Sequence, residues 1–364
     1  MIAPERSNGK DTLNTQPPRG YPALSPVAAR LLSLFEPLSR AVVPLLDGLA
    51  YHRVLAGGAT QRQARLEGVT INYYHQARRR TAKNRGRQHN ADLPILLVHG
   101  IADSALTWAL VIRPLACDHD VYAIDLPGYG LSGAPAGRTF ATLDEMRDVI
   151  EAFVRDVIGR PALIVGNSMG GWLAVKLAWS APEQVRGIVL LDAGGAPTTG
   201  RDAWQQFAER ISMRDLRSTW SVFRSMFGTI LRPLFYVAIP RPLLYLGLRG
   251  FQETFQRRTV RDFVAALMAT MQEDQFVQPD DLRHVPVPAA LIWGLEDNFL
   301  PSGSLEFFRE HLPDVPTLLL PRCGHLPQRE RPNGVVRFIR AFAAQIPDCQ
   351  PNLANQLTAE TSAR

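Results

Sequence analysis

An alternation constrains this fold more than any other feature of the chain. Short apolar runs, Ile95 to Val98, Val121 to Ile124, Leu163 to Val165, Ile188 to Leu191, Ala289 to Trp293 and Thr317 to Leu320, recur with helix-period segments between them. Runs this short, with no polar alternation, read as strands buried on both faces. Strands separated by helices demand right-handed crossovers, and so an open, doubly wound, mostly parallel α/β sheet. The clearest helix is Thr142 to Ile158. Thr142 and Glu145 have the spacing of a capping box, and Leu143, Met146, Ile150, Phe153, Val154 and Val157 share one face. In sheets of this kind ligand chemistry collects at the carboxyl ends of the strands.

The alternation stops between Ala196 and Val285, where the sequence is helical in pattern and rich in aromatics. Residues 196–285 therefore read as a helical cap inserted into a core formed by 61–195 and 286–348. Residues 1–24 are polar and aperiodic, the pattern of a disordered tail, and 349–364 read as a C-terminal tail. Residues 25–60 read as an amphipathic helical segment, broken where Pro37 and Pro44 fall in its pattern. At 364 residues, against roughly 150 per domain, the length fits two domains or one large α/β domain carrying an insertion, and the pattern points to the second.

The charge balance, 40 Lys and Arg against 34 Asp and Glu, is concentrated locally. Arg78, Arg79, Arg80, Lys83, Arg85 and Arg87 crowd a segment that holds no acid and no aromatic ring for base stacking. That pattern is a solvated loop and argues against a nucleic-acid partner; contact with anionic lipid is its alternative reading. The three cysteines, Cys117, Cys323 and Cys349, give neither a disulfide framework nor thiolate metal spacing. The N-terminus lacks the basic and apolar regions of a secretory signal, so a cytoplasmic protein is expected. Glu36, Arg40 and Asp47 interrupt one apolar stretch and Pro233, Pro240 and Pro242 another, so neither reads as a membrane span. The apolar face of 31–51 is expected to dock on the body of the protein, with peripheral membrane contact as the alternative.

The chemistry gathers at three strand ends. The run Ala162 to Val165 enters Gly166-Asn167-Ser168-Met169-Gly170-Gly171 and then a helical pattern. This is G-x-S-x-G in the strand–turn–helix context that it requires, and it should leave Ser168 exposed above the sheet. A serine hydroxyl needs a base, and the base needs a carboxylate to hold its tautomer. Asp297 follows the strand ending at Trp293, with Glu296 or Asp192 as substitutes, and His325 follows the strand ending at Leu320. The backbone N–H groups of Ile101 and Met169 are placed to hold a developing oxyanion. His99, Gly100 and Asn167 are expected beside the substrate, although His99 equally fits a turn histidine whose ring bonds neighbouring backbone.

Five segments, His99-Gly100, Asp125-Leu126-Pro127-Gly128-Tyr129-Gly130-Leu131-Ser132, Gly166 to Gly171, Trp293-Gly294 through Asp297, and Gly324-His325, together resemble the α/β-hydrolase superfamily, with the likeness spanning Leu66 to Ile346. Gly-Asn-Ser-Met-Gly-Gly with Leu190-Leu191-Asp192-Ala193-Gly194 is similar to its monoacylglycerol-lipase-like branch. The resemblance implies a nucleophile at Ser168, a general base at His325 oriented by Asp297, an acyl-enzyme, and no metal or organic cofactor. A non-catalytic member of the fold is disfavoured because all three triad residues are present. Dehalogenases and epoxide hydrolases of this fold use an aspartate where this chain has Ser168.

Carbon–carbon bond hydrolases of ring-cleavage products share the elbow and are the rival enzymatic reading, ahead of cofactor-free haloperoxidases. Against them, Ile101-Ala102-Asp103 replaces their usual Gly-Pro-Gly and Leu326 replaces tryptophan after the histidine. The cap segment contains Phe223, Phe227, Leu231, Phe235 and Leu244. Over a serine nucleophile such a cap points to a small ester or lipid substrate with an apolar acyl or alcohol group, although the same residues would also serve as the cap's own core. Oligomeric state is not legible in the sequence.

Overall fold

The computed structural model describes residues 48–79, 93–101, 103–138, 141–197, 276–297, 299–300 and 303–347. Residues 1–24, most of the 25–60 segment, the centre of the basic run, nearly all of the cap and the tail from 349 lie outside the described residues.

Eight strands form one sheet: β1 (Thr60–Leu66), β2 (Val69–Gln76), β3 (Ile95–Val98), β4 (Val121–Ile124), β5 (Ala162–Asn167), β6 (Val185–Leu191), β7 (Ala289–Gly294) and β8 (Thr317–Leu320). Their order is β1-β2-β4-β3-β5-β6-β7-β8. From β4 to β8 every neighbouring pair is parallel, while β1 and β2 run antiparallel. Each expected strand is therefore present, and the fold is the doubly wound α/β sheet that the alternation demands; the buried reading is corrected for β8, which lies at the sheet edge with Thr317 exposed and Leu318 and Leu319 half-buried.

The continuous apolar runs have two sides because successive side chains point to opposite faces. Leu96, Val98, Ile124, Ile164, Ile188, Leu190 and Leu291 enter one core, which is covered by α1 (Leu143–Phe153) and α2 (Met169–Ser180). Ile95, Leu97, Ala123, Val165, Val189, Leu191 and Ile292 enter the other. That second core is closed by the helical turns within Ala105–Leu115 and by α4 (Pro332–Ala343); α3 (Ser304–His311) packs its Phe308 into the first. Residues 48–56 are helical and insert Val54 into the second core, while Leu49 stays exposed.

The hairpin of β1 and β2 was not anticipated from the sequence. Its two-residue turn, Glu67-Gly68, has positive φ at both positions (44° and 75°), the twist that a tight hairpin requires.

The described chain ends at residue 197 and resumes at 276 beside the same place. Val277 N–H donates to the Gly195 carbonyl at 2.9 Å. Phe276 stacks on Trp172 with ring centroids 5.3 Å apart, so the base of the insertion sits against α2, the helix that follows Ser168.

The capping box of α1 is complete. Glu145 N–H donates to Thr142 Oγ1 at 3.2 Å, and Thr142 N–H donates to Glu145 Oε2 at 2.7 Å. Thr142→Ala should lower unfolding free energy by about 1 kcal/mol, read as an earlier urea midpoint with unchanged slope.

Candidate active site

The strand order reverses between β3 and β5, because the chain moves outward from β3 to β4 and then returns to the other side of β3. Loops leaving the carboxyl ends of those two strands part to opposite faces and open a crevice. Ser168 ends β5 at that crevice, and the Gly100–Ile101 turn follows β3.

Ser168 has φ 55° and ψ −120°, a conformation costly for any residue with a side chain. Ser168 N–H donates to Leu191 O at 3.0 Å, and the Ser168 carbonyl accepts from Gly194 N–H at 2.9 Å and from Gly171 N–H at 3.0 Å. Two glycines of the motif are required by space. A Cβ on Gly166 would lie 2.2 Å from the Gly170 carbonyl oxygen, and one on Gly170 would lie 2.3 Å from the Val98 carbonyl oxygen.

One expectation needs correction: Ser168 is 4% exposed, not open above the sheet. The β3 turn closes over it, so closely that a Cβ on Gly100 would lie 2.8 Å from Ser168 Cβ and 3.4 Å from its Oγ.

The loops after β7 and β8 bring Asp297 and His325 together. His325 Nδ1 lies 2.9 Å from Asp297 Oδ2, with the aspartate side chain 1% and the histidine side chain 10% exposed. The Asp297 Oδ1 accepts from Phe299 N–H at 2.8 Å and Leu300 N–H at 3.3 Å. Burial pushes the Asp297 carboxyl up, but the charge and hydrogen bond of His325 and the two N–H groups outweigh it and hold the group below its ordinary value. Phe299 lies against the imidazole, ring centroids 4.5 Å apart. Of the carboxylates open at the sequence level, Asp297 is the one bonded to His325.

Asn167 ties the histidine loop to the elbow. Its Nδ2 donates to the carbonyls of Leu191 and His325, both at 3.1 Å, and its Oδ1 accepts from Gln328 Nε2 at 3.1 Å. His99 Nδ1 donates to its neighbour Gly100 O at 2.7 Å, and Nε2 accepts from Leu126 N–H at 3.0 Å. Both side chains are fully buried. The expected substrate contact of both is therefore corrected to a scaffolding role, because their polar atoms are taken; for His99 the structure shows the turn-histidine alternative, a ring bonded to neighbouring backbone. Gly100 acts through its lack of a side chain, where it approaches Ser168.

Met169 is the first residue of α2, so its N–H has no partner within the helix and Ile101 lies in the turn drawn over Ser168.

Further residues hold these loops, and no sequence pattern marks them. Gln328 Nε2 also donates to Thr107 Oγ1 at 3.1 Å, which accepts from Arg329 Nε at 2.9 Å, while Arg329 Nη2 reaches Asp103 Oδ1 at 2.8 Å. The histidine loop is thereby fastened both to the elbow and to the β3 turn. Asp192, at the end of β6, is buried beside the Asp297–His325 pair. The Asp125–Ser132 segment is also scaffold, since Asp125 accepts from Asn72 Nδ2, Ala105 N–H and Leu131 N–H at 2.7–3.0 Å.

Residues 95–338 match the alpha/beta hydrolase family. This chain belongs to it. Among its relatives is an uncharacterized hydrolase of Bacillus subtilis, 27% identical over 77% of this chain and 97% of the relative. A 2-hydroxy-6-oxo-2,4-heptadienoate hydrolase of Pseudomonas putida is 28% identical over 69% of this chain and 89% of its own length. A pimeloyl-[acyl-carrier protein] methyl ester esterase of Nitrosomonas europaea is 29% identical over 69% and 94%. A bacterial membrane phospholipase A shares the fold, with a TM-score of 0.61 and 22% identity over 89% of this chain and 96% of that one. Among the described residues, no helix of this α/β hydrolase is long and apolar enough to cross a membrane.

Gln328→Leu should leave Asn167 Oδ1 without its donor, while Thr107 Oγ1 keeps only the bond from Arg329 Nε. The expected cost is about 1–3 kcal/mol of stability, read by urea denaturation.

Proposed function

We propose that this α/β hydrolase is a serine hydrolase that cleaves carboxylic esters bearing a lipophilic acyl or alcohol group. The observation that carries the reading is the 2.9 Å bond between Asp297 and His325 Nδ1, beside a serine held in a strained strand–helix turn. Asp297 fixes the tautomer with hydrogen on Nδ1, leaving Nε2 free to accept a proton. In this reading Ser168 Oγ attacks the ester carbonyl as its proton passes to His325 Nε2. The oxyanion is held by the N–H groups of Ile101 and Met169. His325 then protonates the departing alcohol oxygen, and water cleaves the acyl-enzyme by the same steps, returning a carboxylic acid and free Ser168. Every proton is handled by His325, so the reaction calls on no cofactor.

The relatives include both an ester hydrolase and carbon–carbon bond hydrolases. The second reading is cleavage of ring-cleavage dienones by the same three residues. Two features favour the ester: Ile101-Ala102-Asp103 after Gly100, and Leu326 after His325, in place of the glycine run and the tryptophan usual in the carbon–carbon enzymes. The lipophilic preference rests on the aromatic cap sequence, which lies outside the described residues.

Hydrolysis of 4-nitrophenyl esters from two to sixteen carbons, with a dienone in parallel, separates the readings. We expect highest kcat/KM on medium or long chains and a loss of at least about 10³-fold in Ser168→Ala. Turnover of the dienone alone would replace the ester reading with the carbon–carbon one. Preference for acetate would remove the lipophilic substrate class.

A further inference from the structure

Asp192 is a carboxyl group for which a Ser-His-Asp mechanism has no task. It ends β6 with φ 39°, a left-handed conformation that aspartate tolerates better than most residues. Its N–H donates to Ile292 O at 3.0 Å, and its Oδ1 accepts from Gly294 N–H at 3.0 Å, so that it spans the carboxyl ends of β6 and β7. The residue is fully buried, and its Oδ2 has no hydrogen-bond donor among the described residues. Acceptor atoms of Asp192 and Asp297 and a ring nitrogen of His325 all lie within 4.8 Å of one another.

Two carboxylates that close in a buried site do not both ionise. The surroundings decide which one holds the charge. Asp297 receives two backbone N–H bonds and the His325 ring, whereas the Asp192 carboxyl accepts the single Gly294 N–H bond. Glu330, whose two oxygens accept from Gly324 N–H at 3.1 Å, adds a further negative charge on the same side.

We propose that Asp192 is a positioning residue that stays in its neutral acid form and donates a hydrogen bond from Oδ2 to the Asp297 carboxylate. Asp297 is thereby held by donors on several sides, and its remaining lone pair is aimed at His325 Nδ1. Burial, and then the charge of Asp297, raise the Asp192 carboxyl well above its ordinary value, against the single Gly294 N–H that opposes them. The proposal rests on Asp297 and His325 working as the pair described above.

Asp192→Asn is the test, because an amide keeps both the acceptor for Gly294 and a donor toward Asp297. We expect kcat within about threefold of wild type and an acid limb of the kcat/KM profile that does not move. Were Asp192 ionised, the same substitution would delete a negative charge beside His325. The acid limb would then fall by about one pH unit, and the proposal would be overturned. Asp192→Leu removes the donor, and should lower kcat at least about tenfold with KM little changed.

Stability gives a readout independent of turnover. A carboxyl whose folded pKa is raised binds its proton in the native state while the unfolded chain has released it. Wild type should therefore lose stability relative to Asp192→Asn as pH rises from about 4 toward 8. A gap that stays constant with pH would overturn the proposal, as would an Asp192→Asn chain that fails to fold. If Ser168→Ala retained turnover, the hydrolase reading would fail by itself, while the pH dependence of the gap would still report on Asp192.

Discussion

Ser168 stands in a backbone conformation that costs of order 1–3 kcal/mol, and much of the surrounding structure is arranged to hold it there. Backbone hydrogen bonds to β6 and from the Gly194 turn fix the residue through both its N–H and its carbonyl. α2 can start directly beneath it only because Gly170 lets the helix pass under the Val98 carbonyl. The doubly wound sheet supplies the rest. With β5 central and buried on both faces, the turn cannot relax by shifting the strand without disturbing two cores at once. The same clamp places the serine at the reversal of strand order, where the loops of β3 and β5 part.

Charge around the site is unevenly distributed. Asp297 gathers two backbone N–H groups and the His325 ring, whereas the Asp192 carboxyl takes the single Gly294 N–H, so burial and the neighbouring carboxylate raise Asp192 while Asp297 is held below its ordinary value. In the proposed arrangement the negative charge is directed to the oxygen that faces His325. Asn167, Gln328 and Thr107 provide a neutral counterpart, linking the histidine loop, the elbow and the β3 turn without adding a further charge.

Much of this was legible in the sequence, for identifiable reasons. Apolar runs without alternation are characteristic of strands covered on both faces, and six such runs marked β3 to β8. The elbow was legible because its glycines are demanded by contacts closer than any Cβ permits. The β1–β2 hairpin was missed because β1, Thr-Gln-Arg-Gln-Ala-Arg-Leu, is an edge strand with mostly exposed side chains, and Glu-Gly is a weaker turn signal than Asn-Gly. Asp297 could not be separated from Glu296 or Asp192, since all three follow strand ends and only the β7 loop geometry selects among them. For His99 the sequence allows both a substrate contact and the backbone-bonded turn histidine that the structure shows, and for Asn167 proximity to Ser168 is visible in sequence whereas the partners that occupy its polar atoms are not. Asn167 meets Gln328 across 161 residues and Thr107 meets it across 221, separations that leave no local pattern.

The central claim, that the folded site makes Ser168 a nucleophile, is tested most directly by covalent capture. Native protein is treated with a fluorophosphonate, digested and mapped by mass spectrometry, beside a sample unfolded in urea before treatment. The account predicts one adduct, on the peptide containing Ser168, present in the native sample and absent from the unfolded one. An unmodified Ser168 in native protein, or equal labelling in both samples, would contradict it.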